Sequence, residues 1–175
     1  MKGKRRIWIL GLLIFLCFLL QTTVLKSISF GSISPNLLII VTSTIGFMRG
    51  KKEGMFVGFL CGLLIDIYSS KYIGGQALLY MIIGYVNGFF QRIFYDDDIK
   101  LPLGLLTGSE LAYGFCMYFF FFFLRSKFNF LYYLDNIILP ELVYTLLASL
   151  ILYQIIRKIN HWLETEEKRS GRKFV

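Results

Sequence analysis

Residues 35–89 read PNLLIIVTSTIGFMRGKKEGMFVGFLCGLLIDIYSSKYIGGQALLYMIIGYVNGF. Three apolar runs lie in this stretch, separated by a short basic break at Arg49, Lys51 and Lys52 and by a Gly-containing turn near Gly74 and Gly75. Through the first two runs, Gly46, Gly50, Gly54, Gly58 and Gly62 recur every four residues, and Asp66 continues the spacing. On a helix, such a row forms one slowly drifting stripe. Lipid gives helices no hydrophobic reason to associate, so small residues that admit a neighbouring backbone become the contact surface. The stretch is therefore read as consecutive membrane-spanning helices that pack tightly.

The rest of the chain extends the same pattern. Of 175 residues, 56% are hydrophobic and only 17% charged, against about a quarter charged in ordinary soluble domains. The charges are clustered, and the runs between them approach or pass the roughly 18–20 residues that cross a bilayer. A soluble enzyme, a disulfide scaffold and a disordered tail are excluded on these grounds. Cys17, Cys61 and Cys116 each sit inside an apolar run, without metal or redox spacing, and read as small hydrophobes.

The expected fold is an all-α integral membrane protein, a compact bundle of six transmembrane helices. The spans are placed at about 7–25, 35–48, 54–68, 73–94, 101–124 and 136–156, with a polar cytoplasmic tail at 158–175. The first span follows Lys2, Lys4, Arg5 and Arg6. It is too long for a usual signal-peptide core and lacks a small-residue cleavage site, so it reads as a retained helix. Spans two and three are short, so either their ends extend or neighbours shelter them. Pro35 suits the first turn of a helix with Ser34 as its cap.

Orientation follows from the basic residues. With the N-terminus in the cytoplasm, 15 of the 19 Lys and Arg fall in inner segments. Only Lys26, Lys71, Arg125 and Lys127 fall outside. Both termini are therefore expected inside. The acidic cluster Asp96, Asp97 and Asp98 lies in an inner loop and carries little topological weight. The outer loop from Arg125 to Asp135 is aromatic and suits the headgroup level, and the basic tail suits contact with membrane lipids.

Two features stand out as candidate sites. The glycine spacing of Gly54, Gly58 and Gly62 recurs as Gly84 and Gly88 on span four and as Gly104 and Gly108 on span five. These rows serve either packing within the chain or docking of a partner's transmembrane helix. The second feature is intramembrane polarity: Asp66, Glu110 and Glu141, with Gln76 at a similar depth to Asp66. A central acid costs about 2.5–3.5 kcal/mol even on a lenient insertion scale. Asp66 lies 13 residues beyond Glu53, about 20 Å in from the cytoplasmic side. Asp66 and Glu141 are placed together in the outer half, where polar or backbone partners or retained protons are needed. A structural network and a functional site both fit. Asn87, Gln91 and Arg92 read as an anchor at the inner headgroups.

The chemistry of known catalytic motifs is missing. There is no HExxH or GxSxG sequence and no phosphate-binding GxxxxGK[ST] loop. His161, the one histidine, is outside the apolar runs. No catalytic, cofactor-binding or metal residue is assigned, and no nucleic-acid surface is read from the basic residues.

The pattern of Pro35 opening a span, then Gly54, Gly58, Phe59, Gly62, Leu63, Leu64 and Asp66, then Gly74 or Gly75, then Gly84, Tyr85 and Gly88, resembles the rod shape-determining protein MreD family. Pro140 followed by Tyr144 in the last span is similar to that family too. The motif covers about a third of the chain, and span five matches in hydrophobicity only. The resemblance implies a non-enzymatic inner-membrane component of the elongation machinery that controls lateral peptidoglycan synthesis. It implies an MreC-like single-span partner and, indirectly, MreB-like filaments and a RodA-type polymerase with its transpeptidase. It also implies a fold like that of the substrate subunits of energy-coupling-factor transporters. A small-solute (vitamin) binding subunit of such a transporter is accordingly the alternative function. Span one, with Phe15 four residues after Gly11, lacks the small-residue motif that such subunits use. A lipid-modifying enzyme using Asp66 and Glu141 is a weaker rival, since no nucleophile or phosphate-binding group accompanies them.

Overall fold

The computed structural model describes residues 2–25, 34–69, 74–93, 100–121 and 130–172. The described residues form six helices and no strand. Helix α1 (Lys2–Leu19) continues through a π-helical segment, Leu20–Leu25. Helix α2 is Leu37–Arg49 and α3 is Lys51–Ser69. Helix α4 (Gly75–Asn87) tightens into a 3-10 segment at Gly88–Ile93. Helix α5 is Lys100–Phe121 and α6 is Leu139–Arg172. A short helical turn, Phe130–Tyr133, and a π segment, Leu134–Ile138, lead into α6. Pro140 lacks an N–H and its ring crowds the carbonyl four residues back, and the widened π turn accommodates both effects.

The start of α2 differs from the expectation drawn from Ser34 and Pro35. Both precede the helix, and Asn36 is its cap, accepting from the Ile39 N–H at 3.3 Å. A side chain three residues upstream of a free N–H is well placed to satisfy it, and that contact fixes the start one residue later than Pro35 would.

Helix α2 is the axis of the bundle. It contacts each of the other five helices, and every residue from Leu37 to Met48 is buried. Its 13 residues span only about 20 Å, short of the ~30 Å of a hydrocarbon core. Its sequence carries no charge before Arg49, holds only the small polar residues Thr42, Ser43 and Thr44, and is rich in β-branched residues, which propensity alone does not favour in a helix. Enclosure explains both features: a helix that meets protein on every side needs no polar face. The core around Leu38, Ile39, Ile40 and Val41 takes Ile14 and Cys17 from α1, Val57 and Cys61 from α3, and Tyr80 and Ile83 from α4. Leu106 and Tyr113 of α5 and Tyr153 and Ile156 of α6 complete it.

Gly50 alone joins α2 to α3, with φ at +94°. That positive φ suits a residue without a Cβ. Helix α3 is sharply two-faced. Gly54, Val57, Gly58, Cys61, Gly62 and Asp66 are buried, while Met55, Phe56, Phe59, Ile67 and Tyr68 are exposed.

By length and composition, Arg6–Leu25 and Leu134–Glu166 are each sufficient to cross a membrane. With 34 residues, α6 is about 51 Å long and continues well past such a span.

One end of the bundle gathers polar and basic groups. Arg6 of α1 pairs with Glu53 of α3. Arg49 of α2 donates to Asn160 of α6, whose amide donates to Glu164 at 3.0 Å. Lys51 lies 3.4 Å from the centre of the Phe89 ring, a cation–π contact. The start of α1, the α2–α3 turn and the later turns of α6 thus share one end. The acidic cluster Asp96–Asp98, residues 125–129 of the aromatic loop, and Lys26, Lys71, Arg125 and Lys127 lie outside the described residues.

Candidate functional site

The glycine rows divide into two kinds. A Cβ at Gly54 would fall within 3.0 Å of the Gly84 carbonyl and of the Gly46 Cα. At Gly58 it would meet the Tyr80 backbone, at Gly62 that of Gln76 and Ala77, at Gly84 the Gly54 carbonyl, and at Gly88 the Lys51 backbone. No real Cβ sits that close, so each position admits only glycine without a shift of backbone. These five residues bring α3 and α4 into backbone contact along their length, with α2 against both. Gly104 and Gly108 on α5 are different: a Cβ at either meets nothing within 4 Å. Both are exposed, as is Ala112 one turn on.

Asp66, at the far end of the α3 row, is fully buried. Its carboxylate accepts three backbone N–H groups of the next helix. Oδ2 takes Gly74 N at 2.9 Å and Ala77 N at 3.0 Å, and Oδ1 takes Gln76 N at 3.2 Å. The four N–H groups that open a helix are otherwise orphans, Asp66 takes three of them, and the N-terminus carries partial positive charge. Asp66 answers both needs from a different helix. Gly74, at φ +103°, lets the chain turn so that its own N–H points at the carboxylate.

The remaining acids belong to a second cluster. Asn36 Oδ1 accepts from the Tyr80 hydroxyl at 2.7 Å and from Gln21 Nε2 at 3.5 Å. Gln21 Oε1 in turn accepts from the Leu38 N–H at 3.1 Å. The Asn36 N–H donates to Thr145 Oγ1 at 3.0 Å, and that hydroxyl donates to Glu110 Oε1 at 3.3 Å. Glu110 is 3% exposed, and among the described residues its Oε2 has no hydrogen-bond partner. Glu141, one turn before Thr145 on α6, lies within electrostatic reach of Glu110. Tyr113 donates to Gln76 Oε1 at 3.1 Å, and its ring meets that of Tyr80 edge-on at 5.4 Å. Gln21, Asn36, Tyr80, Gln76, Glu110, Tyr113 and Thr145 thereby join α1, α2, α4, α5 and α6 in one polar and aromatic cluster, and α3 meets it through the bond of Asp66 to the Gln76 N–H.

Asp66 and Gln76 meet through the backbone of Gln76, whereas Glu141 lies within electrostatic reach of Glu110. Gln21, Asn36, Tyr80, Tyr113 and Thr145 escaped the sequence reading as site residues. The available signals were spacing and polarity: Thr145 lies four residues after Glu141 and Tyr80 four after Gln76, while Gln21 and Asn36 interrupt apolar runs.

The inner-anchor reading of Asn87 is corrected. It is 2% exposed and donates to Ser109 Oγ at 2.7 Å and to the Ile83 carbonyl at 2.9 Å. The close approach of Gly84 and Gly88 to α3 draws this end of α4 inward, so Asn87 faces α5. Gln91 and Arg92 are exposed, and the Gln91 side chain lies over Gly50.

Among the described residues no group of three or more His, Cys, Asp or Glu is arranged for a metal ion. Residues 3–162 of the chain match the family model described as rod shape-determining protein MreD. No curated protein and no solved structure matches the chain.

Proposed function

We propose, because this chain belongs to the MreD family of rod shape-determining proteins, that it is a non-enzymatic scaffold and regulator of the cell-elongation machinery. The family is a membrane family with a role in determining rod shape. The finer reading places the chain in the bacterial cytoplasmic membrane as a six-span protein with both termini inside. The end that carries Arg6, Arg49 and Lys51 is then the cytoplasmic one, by the positive-inside rule. The cluster around Asn36 and Glu110 lies toward the outer face.

A chain with so little mass outside its helices makes its contacts through helix faces, short turns and tails. The rows on α3 and α4 are filled by each other's backbone. The Gly104–Gly108 row is the one left open, and this single observation supports docking of a partner's transmembrane helix on α5. The partner proposed is an MreC-like single-span protein. Through it the chain would act on MreB-like filaments and on a RodA-type polymerase with its transpeptidase, and so on lateral peptidoglycan synthesis. The packed α2–α3–α4 unit supplies the rigid frame that presents this face.

The test is depletion in a rod-shaped host. Rounded cells with unchanged vitamin uptake are expected. A vitamin auxotrophy with normal shape would favour the transporter-subunit reading.

A further inference from the structure

A small cavity lies between α2, α4, α5 and α6, away from the Asp66 cap and the Asn36 cluster. Ser43, Asn87, Ser149 and Tyr153 line it together with apolar residues such as Ile40 and Leu106. Its cavity volume is about 10 Å³, roughly enough for one water.

Ser43 Oγ and Asn87 Oδ1 are buried here and have no hydrogen-bond partner among the described residues. Ser43 is 4% and Asn87 2% exposed. Both amide hydrogens of Asn87 are committed, to Ser109 and to the Ile83 carbonyl. The opposite amide orientation would set its oxygen against that carbonyl, so Oδ1 must find a donor on the cavity side. Ser149 donates to the Leu146 carbonyl at 2.7 Å and keeps lone pairs to accept with. Asn87 packs against Gly46, one turn from Ser43 on α2.

We infer that this cavity binds a single structural water. The water donates to Asn87 Oδ1 and to Ser149 Oγ and accepts from the Ser43 hydroxyl, which gives the usual three bonds of a buried water. A buried polar atom left unsatisfied is costly, whereas a bridging water is nearly as good as a direct bond. The neutral lining supplies no counter-charge for a cation. The bridge ties α2 and α4 to α6 where the described residues record no direct side-chain bond between Ser43, Asn87 and Ser149.

A structure of the full chain in detergent or nanodiscs, at a resolution that shows ordered water, tests this directly. A density peak within about 3.2 Å of both Asn87 Oδ1 and Ser43 Oγ is expected. Clear density for both side chains with no peak between them would overturn the inference. Thermal unfolding supplies a second readout through Ser43→Ala, Ser149→Ala and the double variant. A shared water makes the double shift in Tm smaller than the sum of the single shifts by about 2 °C or more. Additive shifts would overturn the inference, and intrinsic helix propensity cancels in this cycle.

Discussion

Asp66 of α3 accepts the Ala77 N–H of α4 at 3.0 Å, so a buried carboxylate on one helix caps the start of the next. Asp66→Asn keeps one oxygen for two of the three N–H groups but turns an NH2 toward the third. It is expected to cost about 1–2 kcal/mol, in the range of a lost helix cap. Asp66→Lys places a cation against the same N–H groups in a buried site and should cost 3 kcal/mol or more, on the order of an uncompensated buried charge. Thermal unfolding in mild detergent distinguishes them. Equal losses in the two variants would contradict the capping role.

The glycine rows should separate by substitution. Gly58→Leu and Gly84→Leu force a side chain into backbone, so overpacking losses of at least about 1–3 kcal/mol are expected. Gly104→Ala and Gly108→Ala enter open space, and each should gain up to about 1 kcal/mol from helix propensity. Thermal stability of the isolated protein measures both. Similar destabilisation across all four positions would show that α5 is as closely packed as α3.

Thr145 links Asn36 to Glu110 by accepting one bond and donating another. Thr145→Val removes both and should destabilise by about 1–3 kcal/mol, because the Asn36 N–H is then left buried and unpaired. Thr145→Ser keeps the hydroxyl and should recover most of that loss. If Ser is as damaging as Val, the methyl group rather than the bonds carries the role of this residue.

Orientation is open to reporter fusions. A phosphatase active only outside the cytoplasm is expected to be silent at the C-terminus and active when inserted at 70–73, between α3 and α4. The reverse pattern would overturn the assignment of the basic end to the cytoplasm.

The helical architecture was legible because its helices coincide with long apolar runs. The fourfold spacing of small residues also told that helices approach closely. It could not tell which row meets which neighbour, since Gly58–Gly62, Gly84–Gly88 and Gly104–Gly108 are the same signal in one dimension. Only the fold shows that the first two rows fill each other and the third stays open. The start of α2 was misread at Ser34 because proline is a strong local cue, while the deciding contact is the reach of Asn36 to Ile39. Asn87 was misread as an anchor for a similar reason. Its place near the end of an apolar run suggested headgroups, but glycine contacts at Gly84 and Gly88 pull that end inward. Asp66 required partners by its cost alone, yet nothing local identifies the N-terminus of α4 as the acceptor of that charge.

The central claim, that the open face of α5 receives a partner helix, is tested most directly by co-purification from mild detergent. The tagged chain and its Gly104→Leu and Gly108→Leu variants would be compared for recovery of the MreC-like single-span protein. The account predicts partner recovery reduced at least tenfold in both variants while their thermal stability stays within a few degrees of the parent. Full recovery of the partner by stably folded Gly104→Leu and Gly108→Leu chains would contradict it.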